Sequence, residues 1–190
     1  MSEEKSKKAT LLWVDLEMTG LFPGQDKIIE VAAIATDWEF NKIAEYTAVV
    51  KVPEDLMRER MVGPFWEEHS ESRDALIAQN DSGKSVVEVE KELLGFLDKN
   101  FEEQSIPGDE KGKGKIILAG NSIHQDKKFI DLEMPKLASR LHYRMLDVSA
   151  WKVYFEGALN KHFVKRELHR ALDDIEGSID EMKWYLTFLK

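Results

Sequence analysis

Three β-rich runs follow one another near the start of the chain, and no other feature narrows the possible folds as far. LLWVDLEM occupies 11–18, KIIEVAAIATD 27–37 and KIAEYTAVVKV 42–52. Thr19-Gly20 and Pro23-Gly24 punctuate the first gap, and a polar turn around Glu39 to Asn41 fills the second. That spacing makes a three-strand meander. From Pro53 the pattern becomes helical, and Val86, Val89, Leu93, Leu94 and Leu97 recur at steps of three and four, which predicts a helix over about 85–99. A Gly-, Pro- and charge-rich loop at 104–115 precedes KIILAG, a short apolar strand at 115–120. DKKFIDLEMPKLASRL reads as one helix, MLDVS at 145–149 as a buried strand, and a further helix is expected from about Ala150. Leu172, Ile175, Ile179, Met182, Leu186 and Leu189 then form a single stripe along a helix from about 170 to 189.

The resulting order, βββαβαβα, demands parallel strands in its later crossovers. It is the element order of a ribonuclease-H-like α/β domain: a central mixed five-stranded sheet, first a meander and then βαβα, flanked by helices. With 190 residues the chain suits one such domain, expected over 11–190 after a flexible tail at 1–10. No run approaches the roughly 18–20 apolar residues of a membrane span, and the opening MSEEKSKKAT lacks the apolar stretch of a secretory signal, so a soluble protein without membrane association is expected. The absence of cysteine excludes disulfides, thiolate nucleophiles and cysteine zinc sites. A net charge of −9 argues against tracking long nucleic acid through a broad cationic surface. The charge is uneven, because residues 127–170 carry +5 and could hold a small anionic substrate locally, or form a solvated basic face.

Asp15 and Glu17 sit two apart in the first strand, so they emerge from one face while Leu12, Val14 and Leu16 point to the other. Two carboxylates within about 7 Å in an apolar strand repel each other and resist ionisation on burial, and a bound cation would remove that penalty. Spacing alone is weak grounds, since about seven acid-x-acid triplets are expected by chance at this acid content. Asp126 follows the strand KIILAG and the turn Asn121-Ser122, where loops at carboxyl ends of strands carry sites in open α/β sheets; an acid favoured by a helix N-terminus is the alternative. His169 and Asp174 open the last helix about 140° apart, so they can share a site only at the helix entry. His162, His69, His124 and His142 are rival histidines without further context.

The order and setting of this set are more telling than any member. With WVDLEMTGL at 13–21, AGNSIHQDKKF at 119–129, LHYRMLDVS at 141–149 and HRALDDIEGSI at 169–179, the sequence resembles the DEDDh family of 3′-to-5′ exonucleases, and within it the oligoribonucleases. The likeness is loose at 52–114, and the 152–168 segment looks shorter than in familiar relatives. The resemblance implies hydrolysis of very short single-stranded RNA to nucleoside 5′-monophosphates, with Asp15, Glu17, Asp126 and Asp174 as ligands of two Mg²⁺ or Mn²⁺ ions and His169 as general base. It implies that Leu21 wedges between bases, that Trp66 stacks on the 3′ base (a core role being its alternative), and that Met18 and Thr19 form the pocket floor. Ser122, Arg144 and Ser149 match a cap over the substrate's 5′ phosphate, and His142 and Tyr143, in the same block, are expected as further substrate contacts. In relatives the tyrosine reaches the neighbouring subunit's site, which implies a homodimer. Relatives occur in bacterial cytoplasm and in eukaryotic cytosol and mitochondria, so a cytoplasmic or mitochondrial location is expected. Two alternatives share the fold: a 3′ exonuclease acting on DNA or structured RNA, and a catalytically silent nucleic-acid-binding domain.

Overall fold

The computed structural model describes residues 8–102, 109, 112–164 and 170–189. Its sheet consists of β1 (Leu11–Met18), β2 (Ile28–Thr36), β3 (Lys42–Val49), β4 (Ile116–Gly120) and β5 (Leu141–Asp147). These lie in the order β3-β2-β1-β4-β5, with β1–β2 and β2–β3 antiparallel and β1–β4 and β4–β5 parallel. The meander and the parallel additions expected from the sequence are both present.

Helices cover both faces, as a sheet with parallel crossovers requires. On one side Leu12, Val14 and Leu16 pack with Val89, Leu93 and Leu97 of α4 (Val86–Asn100), with Phe129 and Ile130 of α5 (His124–Glu133), and with Leu137 of α6 (Pro135–Arg140). On the other side Leu11 and Trp13 pack with Phe155 of α7 (Val148–Leu159) and with Ile175, Ile179 and Met182 of α8 (Ala171–Leu186). The alternation read from the sequence therefore holds, and it puts Asp15 and Glu17 on the α8 side. A smaller core of Ile29, Val52, Met57, Met61, Trp66 and Leu76 seats the short helices α1 (Glu54–Arg60), α2 (Pro64–Glu68) and α3 (Ser70–Gln79) against β2.

Several boundaries differ from expectation for local reasons. The helix expected across 126–141 is two helices, because Pro135 cannot continue α5 and instead takes the first turn of α6. Strand β5 begins at Leu141 and α7 at Val148, where the Asp147 carboxylate caps the helix by accepting from the Ser149 amide at 3.0 Å. The last helix ends at Leu186 in a 3₁₀ turn that leaves Leu189 exposed. At the other terminus the expected tail gives way at its final residues. The Ala9 amide donates to Asn100 O at 2.9 Å and the Thr10 amide to Thr36 O at 2.7 Å. Residues 1–7 and most of the 104–115 loop lie outside the described residues.

Candidate active site

β1 outruns its parallel neighbour. Pairing with β4 covers only Leu11 to Trp13, whereas pairing with β2 continues to Met18. Asp15 and Glu17 therefore stand on an overhang at the carboxyl end of the parallel strands, where open α/β sheets place their sites. Helix α8 crosses β1 and β2 and delivers Asp174 from its first turn. One carboxylate oxygen from each of Asp15, Glu17 and Asp174 lies within 4.8 Å of the others, and all three residues are partly buried.

Asp126 arrives from the first turn of α5 and is not in that group. Its Oδ1 accepts from the Leu16 amide at 3.0 Å, so this side chain takes up a β1 donor where β4 has ended. Burial pushes its pKa up to about 7, against the opposing bonds from its own amide and that of Leu16. Glu17 is pushed up to about 8, first by burial and then by Glu30, Asp174 and Asp126, with Arg170 as the opposing cation. Glu30 is the strand partner of Glu17 and is held by Gln79 Nε2 at 2.6 Å and by Arg170 Nη2 at 3.5 Å. Carboxylates gathered where their charge is unfavourable, with hard oxygen donors and no thiolate, suit a divalent cation.

His169 lies outside the described residues. The four rival histidines are described, and the carboxylate group includes none of them. His124 faces Asp147 at 3.3 Å, His162 faces Glu156 at 3.6 Å, and His69 packs on Phe65. His142 is 1% exposed; its Nδ1 accepts from the Arg144 amide at 2.9 Å and its Nε2 stands 2.9 Å from Asp109 Oδ2.

Beside Glu17 opens a cavity of about 390 Å³ whose lining includes Met18, Leu21, Phe65 and Trp66. Leu21 and Phe65 are 65% and 54% exposed. Trp66 is 7% exposed and belongs to the smaller core, so it serves both as packing and as wall. Thr19 is fully buried, and its hydroxyl accepts from the Lys27 amide and donates to Asp26, each at 3.1 Å. Sequence reasoning missed Asp26, Arg60 and Phe65 in this wall. Phe65, adjoining Trp66, was the findable one.

Ser122 and Ser149 come together, with their hydroxyls 3.0 Å apart and the Ser122 amide donating to Ser149 Oγ at 2.8 Å. Asn121 joins them to α8: Ser149 Oγ donates to its Oδ1 at 3.2 Å, and its Nδ2 donates to Ser178 and to the buried Glu181, each at 3.0 Å. Arg144 is exposed and contacts Asp109 at 3.3 Å, and its guanidinium lies over the Tyr143 ring at 5.2 Å. Tyr143 is exposed as well.

Residues 12–182 match the exonuclease family RNase_T. Curated relatives agree over nearly the whole chain. An oligoribonuclease of Chromobacterium violaceum is 40% identical over 95% of this chain and 96% of its own length. The human protein named mitochondrial oligoribonuclease is 36% identical over 97% of this chain and 75% of its own. Among solved structures, E. coli exonuclease I in complex with a dT13 oligonucleotide superposes with a TM-score of 0.62 at 15% identity, covering 95% of this chain and 41% of that one, and so shares the fold. With acidic side chains from β1 and α8 meeting at the open end of such a sheet, and with full-length likeness to these relatives, the chain belongs to the oligoribonucleases within the exonuclease family.

Proposed function

We propose that this oligoribonuclease removes nucleotides from the 3′ end of very short single-stranded RNA, dinucleotides included, releasing nucleoside 5′-monophosphates. The observation that carries the reading is the convergence of Asp15, Glu17 and Asp174 on one point from two distant elements. These three and Asp126 would hold two Mg²⁺ or Mn²⁺ ions, which when bound supply acidification of a water and neutralisation of charge on the departing 3′ oxygen. His169 accepts the proton of the attacking water, a task suited to an imidazole with an ordinary pKa of about 6.5. Leu21 and Trp66 engage the base at the 3′ end over Met18, with the buried Thr19 bracing Asp26 behind it, and Phe65 adds an exposed aromatic face to the same cavity. Ser122, Ser149 and Arg144 take the 5′ phosphate, closing the groove after few nucleotides. His142 serves from behind, its ring holding the Arg144 backbone while Tyr143 and Arg144 remain exposed for contact. The protein acts as a homodimer in which Tyr143 reaches the partner's site.

The test is a time course on 5′-labelled RNA and DNA of two to about ten nucleotides with Mg²⁺, Mn²⁺ or chelator. Expected are rapid conversion of the RNA dinucleotide, slower attack on longer strands and on DNA, and no turnover with chelator. Asp15→Ala and Asp174→Ala should each lower kcat by about 10³-fold or more while the proteins stay folded. Folded variants that keep their activity would end this assignment.

A further inference from the structure

The cavity beside Glu17 has two walls from different parts of the chain. One is the segment after β1, carrying Leu21 and Phe22; the other is the α1–α2 region, carrying Val62 and Phe65. All four of these apolar side chains are more than half exposed. Among the described residues, the Asp26 carboxylate bonds to both walls. Asp26 is fully buried between the walls and accepts from the Thr19 hydroxyl at 3.1 Å and the Phe22 amide at 2.9 Å on one side. From the other side Arg60 donates to it in a fork, Nε at 2.8 Å and Nη2 at 3.2 Å. The first wall rests directly on this carboxylate, since a Cβ at Gly20 would lie 2.6 Å from Asp26 Oδ2. Behind the second wall, Met57, Met61 and Trp66 are seated on Ile29 of β2, so that wall has a fixed back and a front fastened through Arg60.

We propose that the Asp26–Arg60 pair sets the width of the cavity that takes the 3′-terminal base, making Arg60 a positioning residue for substrate. This rests on the reading that the cavity is the base's site. A planar base between Leu21 and Trp66 or Phe65 requires a slot of defined width, and a two-point guanidinium–carboxylate fork fixes distance and angle together. Lysine, a single-point donor, does not reproduce it.

The test compares the 5′-phosphorylated diadenylate with the same molecule abasic at its 3′ residue. In Arg60→Met, KM for the diadenylate should rise about tenfold, the low end of what base–aromatic stacking contributes, with kcat within about twofold. KM for the abasic compound and the affinity for Mn²⁺ measured by calorimetry should stay within about twofold, which general loosening of the fold would not permit. Because a lone buried Asp26 charge could unfold the single variant, Asp26→Asn/Arg60→Met, which removes both charges, is measured alongside and should behave the same way. An unchanged KM for the diadenylate, or an equal rise for both compounds, overturns the proposal. Equal KM values for the two compounds in the unaltered protein, persisting in Trp66→Ala, show instead that the cavity does not receive the base, and the reading beneath the proposal goes with it.

Discussion

Glu17 retains its proton to about pH 8 in the folded chain, whereas an unconstrained glutamate ionises near about 4.3. The folded state therefore binds this proton more tightly than the unfolded state, and the associated stability is complete below about pH 4.3 and lost as pH rises toward about 8. Asp126, raised to about 7, acts in the same direction over a lower window. The metal-free protein is expected to melt about 5 °C lower at pH 8 than at pH 5 relative to Glu17→Gln, whose profile should be flatter. Saturating Mn²⁺ should raise the melting temperature more at pH 8 than at pH 5. Calorimetry across that range checks both, and a metal-free difference that is flat or rises with pH contradicts the account. At this scale Asp15 and Glu17 were legible in the sequence, because an apolar strand makes paired acids conspicuous. Asp26 and Arg60 were not: 34 residues separate them, and each by itself reads as an ordinary turn acid or helix cation.

Among the elements, the three meander strands were the most readable, since β-rich runs bounded by turn residues place them, whereas β5, expected from 145, begins at Leu141. Helix α4 was also readable, and the structure shows why its start is sharp. Ser85 and Glu88 form a capping box, the Glu88 amide donating to Ser85 Oγ at 3.3 Å and the Ser85 amide to Glu88 Oε2 at 2.9 Å. Ser85→Ala should destabilise the fold by about 1 kcal/mol, seen as a melting temperature about 2–4 °C lower. Turnover should be unaltered, because α4 packs on the face of β1 opposite the carboxylates. The reading of one helix over 126–141 passed over Pro135, which breaks α5 from α6, and what seats α6 was not legible at all. Its first amides, Lys136 and Leu137, donate to the buried Glu90 at 2.7 and 3.1 Å across a separation invisible to local pattern.

Taken whole, the chain carries its positive excess along residues 127–170 against an acidic remainder, and its net charge of −9 repels polyanions increasingly with their length. Raising the salt from about 50 to 200 mM shortens the screening length, so the rate on a ten-nucleotide RNA relative to a dinucleotide should rise. A ratio that falls with salt would point to extended cationic contacts instead. The overhang of β1 also has a consequence for how the protein moves. Through Trp13 the strand is laced on both sides; beyond it, hydrogen bonds to β2 continue on one flank, while on the other the Leu16 amide is secured by a side chain. Deuterium uptake at Leu16 should then report on Asp126 individually: it should quicken in Asp126→Ala, stay slow in Asp126→Asn, which keeps an acceptor oxygen, and leave the spine at Leu12 and Trp13 unaffected. That pattern would show the carboxylate-bearing end of β1 opening independently of the sheet behind it.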